Sequence, residues 1–113
     1  MKRKIQYRTE SVERILPEQL VQAFPVGARV TVGVDVAKRN FVAALCNGSG
    51  ETVLRVRFEH PRQTAQFVGL LGGLQAGERL VEVAMEPTGT YGDALRYRLG
   101  TSKISVFRVS NKH

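Results

Sequence analysis

The sequence has no tryptophan, one cysteine and, among ten acidic residues, only two aspartates, Asp35 and Asp93. A lone Cys46 excludes an internal disulfide framework and a four-cysteine zinc site, and it fits a reducing, cytoplasmic setting. In an apolar stretch it reads as core, not as a reactive thiol. No apolar run approaches the roughly 18 residues of a membrane span. The basic start, Met1 to Tyr7, is not followed by the apolar centre of a signal peptide, so no export by that route is expected. Internal repeats and low-complexity segments are also lacking. At 113 residues there is room for one domain, and 42% hydrophobic against 24% charged residues excludes disorder as the default state.

Positive charge is in excess. Seventeen lysines and arginines stand against ten acids, a formal charge of +7. That balance favours polyanionic partners, nucleic acid first. A domain with a merely basic, solvated surface explains the same count, so charge alone does not decide.

Two regions differ in pattern. Residues 1–29 read as an N-terminal helical extension: a basic tip, then a short helix to about Phe24 that Thr9 or Ser11 caps, with Pro17 either kinking it or marking its true first turn. Residues 30–113 read as the main domain. Val30–Val36, Phe41–Cys46 and Thr52–Phe58 predict three consecutive strands joined by short turns, with Asn47-Gly48-Ser49-Gly50 the clearest turn signal. In the third, Val53 and less cleanly Leu54, Val56 and Phe58 point inward, and Arg55 and Arg57 outward. Phe67, Leu70, Leu71 and Leu74 recur at helical spacing over 62–75, with Gly77 as the stop. Leu80–Met85 predicts a buried strand, Thr90 a helix cap, and Ile104–Val109 a last strand. The order β-β-β-α-β-α-β implies an α/β domain with a mixed sheet covered by helices, the topology of the ribonuclease H-like fold.

Asp35 interrupts an apolar strand, Val-Gly-Val-Asp-Val. A charge there is costly unless it is hydrated, paired or bound to metal. Gly33, on the same strand face, keeps the approach open. Glu86 ends the strand 80–85, and if that strand lies beside the first, the two carboxylates converge. Two hard oxygen ligands suit Mg²⁺ or Mn²⁺ better than zinc, and such sites serve phosphodiester cleavage. Against this stands the plain alternative that each acid caps a helix or pairs with a cation. Glu82 and Asp93 read as structural in that sense. His60, with no second histidine or cysteine at ligand spacing, reads as a loop residue.

The segment Val32-Gly33-Val34-Asp35-Val36-Ala37-Lys38-Arg39-Asn40-Phe41 resembles the opening motif of the DEDD transposases of bacterial insertion sequences, relatives of the Piv/MooV DNA invertases with a RuvC-like catalytic domain. Ala84-Met85-Glu86-Pro87-Thr88-Gly89-Thr90-Tyr91 resembles the family's Glu-x-Thr-Gly-x-Tyr motif, and 104–111 resembles the strand and Asn that follow. The resemblance implies that Asp35 and Glu86 are catalytic Mg²⁺ (or Mn²⁺) ligands, with Thr88, Gly89 and Tyr91 supporting the motif and Tyr91 also placed to touch nucleic acid. It places Lys38 and Arg39 beside the site, where they would meet phosphates. The outward Arg55 and Arg57 are candidates for the same role from their strand alone, against the plain reading of each as a solvated cation. It implies DNA as partner, a structured guide RNA in some members, a homo-oligomer for the full-length protein, a bacterial cytoplasmic location, and a nucleophilic serine in a separate C-terminal domain.

The last two acids of the DEDD set are expected just after the final strand, and no second aspartate pair is present. Residues 1–113 therefore read as an N-terminal piece: an expressed fragment, a truncated gene product or a remnant. Such a piece is expected to bind metal weakly and to carry out no recombination alone. Two other readings stand beside this one. A non-catalytic nucleic-acid-binding remnant needs no metal. A phosphate-binding domain of the actin-like or sugar-kinase type shares the fold and the loop pattern after Asp35, but needs a second glycine-rich phosphate loop that the sequence does not contain.

Overall fold

The computed structural model describes residues 9–37, 39–85 and 92–108. Its frame is a six-stranded sheet in the order β1-β4-β3-β2-β5-β6. β2 (Arg29–Asp35), β3 (Asn40–Cys46) and β4 (Thr52–Glu59) form an antiparallel meander. The sheet then continues with parallel neighbours on the other side of β2: β5 (Leu80–Met85) beside β2, and β6 (Ser105–Arg108) beside β5. This is the mixed α/β sheet that the element order implied, compatible with the ribonuclease H-like fold.

Alternation along the strands separates the two sheet faces. Val30, Val32 and Val34 of β2, Phe41, Ala43 and Leu45 of β3, Val56 and Phe58 of β4, and Val81, Val83 and Met85 of β5 are all buried. They meet α2 (Thr64–Ala76) through Phe67, Val68, Leu71 and Leu74, and α3 (Asp93–Thr101) through Leu95 and Leu99. α1 (Pro17–Ala23) packs on α2 in the same layer. The sequence led us to expect helices covering the sheet. Among the described residues they cover one face only. On the other face Arg29, Gly33, Asp35, Arg55 and Arg57 are exposed and Thr31, Val42, Ala44, Glu82 and Ala84 half-buried.

Residues 9–28 differ from a plain helical arm. Thr9–Ser11 is a short strand, β1, parallel to β4 with Thr9 opposite Arg55 and Ser11 opposite Arg57. A single 3-10 turn, Val12–Arg14, follows, capped by the Ser11 hydroxyl accepting from the Glu13 N–H at 3.3 Å. The helix begins only at Pro17, whose missing N–H costs nothing in a first turn. Gln19 Oε1 accepts from the Leu16 N–H at 2.7 Å, half of a capping box. Val12, Ile15, Leu20 and Phe24 are buried in the same core as the sheet.

Two polar side chains tie this segment down. Gln63, itself buried, donates to Glu13 Oε2 at 2.7 Å and accepts from the Glu59 N–H at 2.9 Å. Arg79 is buried and donates to three main-chain carbonyls: Phe24 at 2.8 Å, Gly77 at 2.8 Å and Val21 at 3.2 Å.

Candidate functional site on the open sheet face

Asp35 is the last residue of β2, the strand flanked by β3 and β5 at the centre of the sheet. It lies opposite Val42 of β3 and is exposed on the helix-free face. Gly33 shares that face, and a methyl group added there would meet nothing within 4 Å. The floor beside Asp35 is therefore flat. The row through Gly33 continues it with Ala44 on one side and Ala84 on the other. The neighbouring β5 runs parallel with Val34 opposite Met85, so the ends of β2 and β5 are adjacent.

Glu86, Thr88, Gly89 and Tyr91 lie outside the described residues, as does Lys38. Among the described residues no three His, Cys, Asp or Glu side chains gather as metal ligands. Asp35 alone fits the first requirement of a Mg²⁺ site, a hard and accessible carboxylate. Gly92, which precedes α3, packs closely at this end: a Cβ there would come 2.8 Å from Met85 Cε and 3.5 Å from Val36 Cγ2.

The cations expected near the site divide in two. Arg39 is exposed in the turn between β2 and β3, and its carbonyl accepts from the His60 N–H at 2.8 Å. Arg55 and Arg57 are exposed on the open face. Sheet register adds what the sequence could not: Ser11, Arg57, Val42 and Asp35 form one row across β1, β4, β3 and β2. Two strand spacings put the Arg57 and Asp35 backbones about 10 Å apart. Arg55 sits in the next row, with Ala44 and Gly33. Neither Arg55 nor Arg57 forms an ion pair among the described residues.

His60 is placed on the helix side of the same sheet edge. Its ring stacks on Phe41 with centroids 5.0 Å apart, and Nδ1 shares a 2.6 Å hydrogen bond with Thr64 Oγ1, the hydroxyl of a buried residue. Burial, then the nearby Arg98 guanidinium, pulls its pKa below 6.5. The folded ring thus resists a proton that the unfolded chain accepts. Its contribution is complete above pH 6.5 and is lost as the pH falls through the lowered value. The urea midpoint should drop between about pH 7.5 and about pH 5, and drop less in His60→Gln. Equal drops in both proteins would remove His60 as a source of acid sensitivity.

A separate apolar groove lies in the helix layer between α1 and α2, lined by Leu20, Val21, Gly69 and Gly73 among others, away from Asp35.

The order and placement of these residues match a known pattern. A family model described as transposase, that of the DEDD transposases of IS110-type elements, matches residues 32–113. The chain belongs to this DEDD transposase family. The match covers the meander from Val32 on, α2, β5, α3 and β6, and leaves out 1–31, which hold β1, the 3-10 turn, α1 and the first three residues of β2. A comparison with curated proteins gives no match. The DEDD domain is of the ribonuclease H-like type, transposases act on DNA, and the family generally uses divalent metal. Among the described residues no helix is long and apolar enough to cross a membrane.

Proposed function

We propose that this chain is the N-terminal catalytic domain of a DNA transposase, in which Asp35 and Glu86 hold Mg²⁺ or Mn²⁺ for strand cleavage and transfer. The observation that carries the reading is Asp35 itself: an exposed carboxylate ending a central strand, on a helix-free face, beside a parallel strand whose last residue, Met85, is followed in sequence by Glu86. Bound there, the metal would supply Lewis-acid stabilisation of phosphate oxygens and an activated hydroxyl. The protein's own residues align and bind. Gly33, Ala44 and Ala84 keep the floor low enough for a sugar-phosphate backbone. Arg39, Arg55 and Arg57, with Lys38 and Tyr91 of the family motifs, hold that backbone in place.

In this reading the transposase acts as a homo-oligomer, with DNA and a structured guide RNA as its partners.

The test is Mn²⁺ titrated into ¹⁵N-labelled protein. Paramagnetic broadening should centre on the amides of 33–36, and the apparent affinity should fall at least about tenfold in Asp35→Asn. Broadening that is diffuse, or unchanged by Asp35→Asn and Glu86→Gln together, would remove the metal site. A nucleic-acid-binding remnant would then be the better account of the basic face.

A further inference from the structure

The segment that the family match leaves out builds a second feature on the same row as Asp35. β1 extends the sheet by one strand beyond β4, and the 3-10 turn after it brings Arg14 over the edge. Between them is a polar cleft of ≈ 420 Å³ lined by Thr9, Glu10, Ser11, Arg14 and Arg57. Thr9 and Ser11 share one strand face by alternation, opposite Arg55 and Arg57, and Glu10 falls on the other. Arg14 and Arg57 are both exposed, and neither is ion-paired among the described residues. Two guanidinium forks and two hydroxyls around a polar cleft are donors in search of acceptors. Phosphate oxygens suit that geometry because each can take a forked pair of N–H groups.

We propose that this cleft is a phosphodiester-binding exosite: it grips the nucleic-acid backbone beside the carboxylate site. The inference rests on the reading of the chain as a nucleic-acid-processing domain, and it assigns to residues 9–14 a role in substrate holding. Arg57 and Asp35 stand two strand spacings apart in one row, about 10 Å. That distance lies within the reach of neighbouring phosphates of one strand. A strand crossing the flat Gly33–Ala44 floor would therefore lie near Asp35 and reach the cleft within a few phosphates. Glu10, the single acid in the lining, leaves the cleft net positive.

The test is binding of a fluorescein-labelled single-stranded 12-mer to the whole 113-residue chain as a function of salt. Arg14→Gln/Arg57→Gln should weaken binding about tenfold at 0.1 M salt and lower the slope of log affinity against log salt by about 1.4, two phosphate contacts' worth. Arg14→Lys/Arg57→Lys should recover most of the affinity. Arg98→Gln/Lys103→Gln removes the same charge from exposed residues elsewhere and should change affinity less than threefold. Equal losses in both glutamine pairs would reduce the effect to net charge and overturn the exosite. So would a cleft-dependent rise in melting temperature with millimolar inorganic phosphate but no cleft-dependent oligonucleotide binding, which would make it a free-anion site. Mn²⁺ broadening at 33–36, read on the same samples, separates the two proposals. Broadening that persists while the arginine pair has no effect defeats the exosite alone. Absence of both broadening and oligonucleotide binding defeats the parent reading with it.

Discussion

Phe58→Ala is expected to cost about 4 kcal/mol of stability, the middle of the range for a buried ring removed from a packed core. Phe58 is fully buried at the junction of three elements. Its ring meets Phe41 of β3 edge-on with centroids 5.3 Å apart and stacks on Phe67 of α2 at 4.3 Å. Truncation therefore removes transfer free energy and two aromatic contacts, and leaves a cavity that the sheet cannot close without moving β4. Against a total stability of roughly 5–15 kcal/mol, such a loss is a large fraction. Urea unfolding should show the midpoint falling sharply, and Phe58→Leu should retain most of the stability because the volume is largely kept. A loss under about 1.5 kcal/mol for the alanine would mean that α2 collapses onto the sheet without the ring. The consequence reaches the site. Phe41 also carries His60, and it neighbours Val42, the cross-strand partner of Asp35.

The aromatic column explains why the meander was legible. Phe41 sits in a strand whose alternation is unbroken, Phe58 in the regular second half of β4, and Phe67 begins the helical period of α2. Regular burial on one face leaves a regular trace in sequence. The trace failed where regularity failed. Val53 and Leu54 of β4 read ambiguously because the pairing shifts there: Leu45 lies opposite Leu54, but Cys46 lies opposite Thr52. A bulge breaks the two-residue period, and both side chains end half-buried. Thr9–Ser11 was invisible as a strand for another reason. Three residues carry almost no periodic signal, and their partner, β4, is about 45 residues away in sequence. Propensity does not encode a parallel edge pairing of that separation.

The site divides along the same line. Asp35 was legible because a charge inside an apolar strand violates a local rule, and such violations mark functional positions. Arg57 was legible as an outward cation, but its place in Asp35's row was not. That row depends on two antiparallel registers in succession, β2 with β3 and β3 with β4, and a one-residue slip in either would move Arg57 away. The one-sided helix layer was also out of reach, because half-buried residues such as Thr31, Val42 and Ala44 do not declare in sequence what covers them.

Arg79→Met should cost about 3 kcal/mol although no acid partners Arg79 among the described residues. The guanidinium replaces water at the C-terminal end of α1, donating to the Val21 and Phe24 carbonyls, and a third bond to Gly77 fixes the turn before β5. Carbonyls at a helix end carry the negative pole of the helix, so a cation is favoured there. Methionine fills much of the volume but leaves three acceptors without their donor in a buried setting. Lysine, a compact point donor without the fork, should recover only part of the loss. The contrast is Arg62, which carries the same charge in exposed ion pairs with Glu59 and Glu13, and whose alanine variant should barely move the denaturant midpoint. Denaturant midpoints of the four proteins decide the matter. A near-neutral Arg79→Met would show that desolvating the guanidinium cancels its hydrogen bonds, as can happen for buried charges. A large loss would show that residues 9–28 are held to the sheet by a polar clamp as well as by the buried Leu20 and Phe24. The β1 edge, and with it the Arg14–Arg57 cleft, would then depend on a residue in the turn between α2 and β5.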